Sequence, residues 1–234
     1  MSRLPPIPDP LDCVLFDAGD TLLAPAPSFQ GRFVAVAAAN GLPLEEAAVD
    51  AAIADAVRAA SWPSDWTDPA TQRSFWVGFY RRVLATLGHE GMEVAEALFA
   101  AFSDPAGYRL FDDVRPALDE LAARGIKLGV VSNFEPWLED ILDLQGIGDR
   151  FAAVAISGKL GVAKPDPEIF RWAIREAGAD PAATLHVGDQ PANDVDAARA
   201  VGITPVLIDR YARHPETDGA HRVEDLLELV ELVR

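Results

Sequence analysis

Asp17 closes an apolar run, Cys13-Val14-Leu15-Phe16, and leads into Ala18-Gly19-Asp20-Thr21. A carboxylate at the end of a buried strand can serve as a nucleophile or as a metal ligand. Gly19 lets backbone groups approach a ligand closely. Three further strand-like stretches are followed by polar residues of matching chemistry. Val130-Val131 runs into Ser132-Asn133, whose hydroxyl and amide can donate to an oxyanion, or cap a helix before Pro136. Lys164 lies in Gly161-Val162-Ala163-Lys164-Pro165-Asp166-Pro167, where two prolines stiffen the loop and a helix should start near Pro167 or Glu168. A lysine held this way can neutralise phosphate charge at a fixed point, whereas an isolated lysine is ordinarily a solvated surface residue. The fourth stretch, Leu185-His186-Val187-Gly188-Asp189, is followed by Asn193-Asp194. Two acids on one turn near Asp17 would make an oxygen cage suited to Mg²⁺; Asp194 alone would also serve as a helix N-cap. His186, inside its strand, reads as structural.

These residues need a frame that brings four loops together. Apolar β-type runs occur at residues 11–17, 128–131, 153–156, 184–187 and 205–208, with helical stretches near 113–124, 135–145, 167–177 and 192–201 and a closing amphipathic helix over 223–233. Strands alternating with helices imply right-handed crossovers and a doubly wound parallel sheet. In such α/β sheets ligands bind at the carboxyl ends of the strands. Nothing between residues 25 and 105 reads as a strand; helical patterns fill 29–40, 44–60, 69–87 and 92–102. The expected organisation is therefore a Rossmann-like core from residues 1–21 and 107–234, with a small all-helical cap, residues 22–106, inserted after the first strand as a lid. Within the cap, Phe75, Trp76 and Phe79 fall at helical spacing and suit packing. Trp62 and Trp66, in a loop around Pro63 and Asp65, suit a pocket wall. Arg73, Arg81 and Arg82 suit a solvated face.

Bulk properties narrow the partners. The chain has 234 residues, half of them hydrophobic, which supports a folded core. Its formal charge of −17 disfavours nucleic acid and anionic membranes. An anionic substrate then needs a bound cation or local basic residues. Cys13 is the only cysteine, so no intrachain disulfide can form, and its apolar strand favours an inert thiol. No apolar stretch reaches membrane-spanning length, and no basic segment followed by an apolar one opens the chain; a cytoplasmic monomer or homodimer is expected.

In this order and at these strand ends, Asp17 to Thr21, Ser132, Lys164, Gly188-Asp189 and Asn193-Asp194 resemble the haloacid dehalogenase (HAD) superfamily over nearly the whole chain. The resemblance implies a hydrolase in which Asp17 attacks phosphorus and forms an aspartyl-phosphate. It implies Mg²⁺ held by the Asp17 carboxylate, the Gly19 carbonyl and Asp189, with Asp194 direct or through water. Ser132, Asn133 and Lys164 would bind the transferring phosphoryl group of a small phosphorylated metabolite, and Lys164 would also hold Asp17. The chain departs from the usual phosphatase pattern at Gly19, where a second aspartate ordinarily supplies acid/base catalysis. Asp20, one place on, points to the other face of an extended segment and suits a bracing role better than that one. Two alternatives stay open: metal-independent hydrolysis of a 2-haloacid at Asp17, and a weakly catalytic phosphometabolite-binding protein. Schiff-base chemistry from the cap is excluded, because residues 22–108 contain no lysine.

Overall fold

The computed structural model describes residues 4–61, 63, 66–214 and 219–233. The chain divides into two compact units, one formed by Met1–Leu23 with Leu110–Arg234 and the other by Ala24–Arg109.

The first unit is built on β1 (Cys13–Phe16), β4 (Lys127–Ser132), β5 (Ala153–Ile156), β6 (Thr184–Gly188), β7 (Thr204–Ile208) and β8 (His221–Val223). They form one parallel sheet in the order β5-β4-β1-β6-β7-β8. β1 is buried along its whole length, as a strand covered by helices on both faces must be. Its register sets Phe16 opposite Val130 of β4 and Val187 of β6. The residues that follow, Asp17, Val131 and Gly188, therefore come level at one edge of the sheet.

The crossovers are α5 (Val114–Ala123), α6 (Leu138–Leu144), α7 (Ser157–Leu160), α8 (Pro167–Ala177) and α9 (Ala197–Ala200), and α10 (Leu226–Leu232) follows β8. α8 shows why its sequence folds locally. Asp166 caps it by accepting from the Glu168 N–H at 2.9 Å, Pro167 occupies the first turn, and Gly178 ends it in the left-handed region at φ 56°. Its apolar face (Ile169, Phe170, Ala173, Ile174) packs on Cys13, Leu15, Val131 and Ala155. Burying Phe170 alone contributes about 1.5–3 kcal/mol. That packing anchors the loop carrying Lys164 to the centre of the sheet. Burial likewise pushes the Cys13 thiol up to about 12, the value of an unreactive group.

In the second unit, α1 (Phe29–Ala39), α2 (Glu46–Arg58), α3 (Pro69–Thr86) and α4 (Met92–Phe102) enclose a core of Phe33, Val49, Tyr80, Leu84, Leu98 and Phe102. Phe75, Trp76 and Phe79 pack against this core, as their spacing predicts. Trp66 joins them, edge-on to Phe75 at 5.0 Å between centroids, and so packs within the aromatic cluster; Trp62 lies outside the described residues. Arg73 is exposed and pairs with Glu96.

The structure departs from expectation in short elements. β2 (Leu23–Pro25) and β3 (Tyr108–Leu110) pair as a two-stranded ribbon, and β8 precedes the last helix. Three residues are too few for an alternation to register. The expected helix over 192–201 is a π-helical turn, Pro191–Asp196, followed by α9. Among the described residues no helix is long and apolar enough to cross a membrane.

Candidate active site

The loops after β1, β4 and β6 and the loop before α8 meet at the sheet edge where Asp17 emerges. Asp17 is 5% exposed, and its own N–H donates to the Val187 carbonyl at 2.8 Å, which locks the end of β1 to β6. One carboxylate oxygen, Oδ1, accepts from Ser132 Oγ at 3.0 Å and from Lys164 Nζ at 2.7 Å. Lys164 also donates to Asp194 Oδ1 at 2.6 Å. The lysine is 5% exposed, so its charge is committed to these two acids. Asn133 fixes the lysine's main chain from both sides: its Nδ2 donates to the Lys164 carbonyl at 2.8 Å and its Oδ1 accepts the Lys164 N–H at 2.7 Å. With its amide used in this way, Asn133 is placed to hold the loop, one step removed from any ligand of Lys164.

Asp194 does not cap a helix with its side chain in the expected way. It lies inside the π-helical turn, and its Oδ2 reaches back to accept the Gln190 N–H at 2.9 Å. Its Oδ1 faces Lys164 and also His186 Nε2, at 2.9 Å. The sequence reading missed this partnership. The signal was the two-residue period of a strand: His186 and Gly188 share a face of β6. Gly188 leaves room on that face for the Asp194 carboxylate, since a Cβ there would lie 2.2 Å from Asp194 Cγ. His186 packs edge-on to Phe170 of α8 at 4.9 Å.

Asp17, Asp189 and Asp194 each offer an oxygen within 4.8 Å of the others. Asp189 Oδ1 is buried and has no hydrogen-bond partner. An orphaned carboxylate oxygen among other acids is costly unless a cation meets it. Three carboxylates face one ammonium, so a divalent cation would balance the charge, and an all-oxygen donor set suits a hard ion such as Mg²⁺. The residues present fit such an ion.

The titration behaviour follows from this crowding. Burial pushes Asp189 up to about 8, helped by the charges of Asp17, Asp194 and Asp20. Burial also raises Asp17, against the pull of Lys164 and with the help of Asp194. Burial opposes the charge on Lys164, but Asp17 and Asp194 outweigh it and hold the ammonium above the ordinary lysine range. Burial would raise Asp194 too, yet Lys164 and the His186 hydrogen bond hold it well below the usual carboxylate range.

Asp20 lies close enough for its charge to reach Asp189, but its carboxylate is bonded elsewhere. It adopts a left-handed backbone, φ 52°, and its carboxylate accepts from the Tyr211 hydroxyl and from Arg213, each at 3.4 Å. Gly188→Ala should displace the Asp194 carboxylate and weaken cation binding about 10–100-fold, as loss of a supporting contact does elsewhere. Calorimetric titration with Mn²⁺ checks this; unchanged affinity would separate Asp194 from the cation site.

The haloacid dehalogenase-like hydrolase family profile matches residues 11–202. Haloacid dehalogenase-like hydrolase domain-containing protein 3 of Homo sapiens is 32% identical over 200 residues, covering 82% of this chain and 80% of its own. The phosphoserine phosphatase of Thermus thermophilus is 34% identical over 167 residues, 70% of this chain and 65% of its own. Among solved structures, the HAD-hydrolase YfnB of Bacillus subtilis superposes with a TM-score of 0.75 at 19% identity, over 95% of this chain and 98% of its own, a likeness of fold.

Proposed function

Since the chain belongs to the haloacid dehalogenase-like hydrolase family, we propose that it is a Mg²⁺-dependent phosphatase acting on a small phosphorylated metabolite through an aspartyl-phosphate at Asp17. The observation that carries the reading is the orphaned Oδ1 of Asp189 beside Asp17 and Asp194. Displacement of halide by a carboxylate needs no such convergence of acids. Relatives named as phosphatases of phosphoserine, N-acetylmuramic acid 6-phosphate and glyceraldehyde 3-phosphate also support it.

In this reading Ser132 and Lys164 orient the Asp17 carboxylate. An Asp17 oxygen attacks phosphorus; the bond from phosphorus to the leaving oxygen breaks, its electron pair stays with that oxygen, and the oxygen takes a proton from solvent water. The fixed ammonium of Lys164 and the Ser132 hydroxyl stabilise charge gathering on the phosphoryl oxygens. Water then attacks the phosphorus of the acyl phosphate; the bond from phosphorus to the Asp17 oxygen breaks, its electron pair returns to the carboxylate, and a proton of the attacking water passes to solvent, so that inorganic phosphate leaves and Asp17 is restored. Asp17, the Gly19 carbonyl and Asp189 would hold the cation, with Asp194, already engaged by Lys164, His186 and Gln190, acting through water. When bound there, such a cation would supply charge neutralisation at the phosphoryl oxygens.

The test is a panel of phosphate esters and 2-haloacids, each assayed with Mg²⁺ and with chelator. Ester hydrolysis that chelation abolishes is the expected result. Haloacid turnover that survives chelation would replace this reading with halide displacement. Tight ester binding without turnover would replace it with a binding role.

A further inference from the structure

Arg210, just past β7, is nearly buried: its side chain is 8% exposed and that of its partner Asp113 is 10% exposed. The guanidinium makes a two-point pair with Asp113, at 3.0 and 2.8 Å. It also gives two donors to one backbone acceptor, the Thr21 carbonyl, at 3.2 Å from Nε and 2.8 Å from the terminal nitrogen. The Phe111 ring lies beneath it, 4.0 Å from its centroid. Asp113 in turn accepts the Leu226 N–H that opens α10, at 2.7 Å.

Thr21 ends the turn that begins at Asp17. Inside that turn the Ala18 carbonyl accepts from Leu22 at 2.8 Å and Leu23 at 3.0 Å. The near end is held by the bond from the Asp17 N–H to Val187. The far end presents the Thr21 carbonyl, and Thr21 is fully buried with its own hydroxyl unpartnered. A neutral donor would satisfy that carbonyl. An arginine buried here costs desolvation that only a well-made pair offsets. What the arginine adds is geometry: a rigid fork that ties the β1 turn, the segment 111–113, the end of β7 and the start of α10 to one point.

We propose that Arg210 is a positioning residue for the nucleophile turn, holding the Thr21 carbonyl so that the Asp17 carboxylate and the Gly19 carbonyl keep their places at the sheet edge. This rests on the phosphatase reading for its kinetic arm and on the cation site of that reading for its Mn²⁺ arm. Arg210→Ala and Arg210→Lys are compared with wild type for hydrolysis of p-nitrophenyl phosphate with Mg²⁺, for Mn²⁺ affinity by calorimetry, and for folding by circular dichroism. For Arg210→Ala, kcat should fall about 10–100-fold, the cost of a displacement near 1 Å, with KM nearly unchanged. Mn²⁺ affinity should fall in parallel, and added methylguanidinium should restore both. Arg210→Lys, which keeps the charge but not the fork, should fall between. If Arg210→Ala fails to fold, the lysine variant carries the test. A folded variant with a lower melting temperature but wild-type kcat and Mn²⁺ affinity would overturn the proposal, as would a loss that methylguanidinium does not relieve. Should wild type bind Mn²⁺ yet hydrolyse no ester, the phosphatase reading fails and the Mn²⁺ arm decides the role of Arg210.

Discussion

Asp17→Asn is expected to lower phosphate-ester turnover by about 10⁴-fold or more, the scale seen when a nucleophile that acts with its partners is removed. The substitution is informative because it should leave the packing and hydrogen bonds around residue 17 largely in place, although the lost charge also weakens the hold on the cation. Asparagine has the same shape, and its carbonyl oxygen can still accept from Ser132 and Lys164, which now meet Asp17 Oδ1 at 3.0 and 2.7 Å. Lys164 keeps its pair with Asp194, so no buried cation is left alone, the situation that costs several kcal/mol when one partner of a buried pair is deleted. What vanishes is the charge and the nucleophilic lone pair. Steady-state assay, together with intact-mass detection of a phosphorylated enzyme in wild type and its absence in the variant, checks the expectation. A variant that keeps most of its turnover would move the nucleophile elsewhere and end the case for an aspartyl-phosphate.

How much of this could be read from the chain alone depends on the range of each interaction. Asp17, Ser132 and Asp189 were legible because each stands at the end of a strand with a strong local pattern, and a parallel sheet brings such ends to one edge; Lys164 was legible from the two prolines that stiffen its loop. The start of α8 was legible from Pro167, since proline suits the first turn of a helix. His186 and Arg210 were not. His186 looks like any polar residue in a buried strand until Asp194 is placed over Gly188. Arg210 meets Thr21 and Asp113 across separations of 189 and 97 residues, and no local pattern encodes such meetings. The ribbon of β2 and β3 and the π-helical turn at Pro191 were hidden by brevity: each is set by its partners more than by its own residues.

Gly19→Asp is expected to raise turnover, most strongly on esters with poor leaving groups. A positioned acid that protonates the leaving oxygen typically contributes 10²–10⁴-fold, and about 10²-fold is the expected gain on alkyl phosphates. Aryl phosphates, whose leaving oxygen needs little help, should gain much less. Two features of the turn make room for the change. A Cβ built on Gly19 meets no heavy atom within 4 Å, and Gly19 is not among the glycines with left-handed φ, so an L-residue fits its backbone. The neighbouring Asp20 is an unsuitable substitute, because its left-handed backbone and its bonds to Tyr211 and Arg213 turn it aside. The added carboxylate joins a crowded group of acids, where burial and neighbouring charges already push Asp189 up to about 8. With cation bound that repulsion is screened at the site, so the gain should appear only when Mg²⁺ is saturating. The measurement is the ratio of kcat/KM for an alkyl and an aryl phosphate in wild type and variant. If the ratio does not move while Mn²⁺ still binds, protonation of the leaving group does not limit this chain, and Gly19 is no deficit in its catalysis.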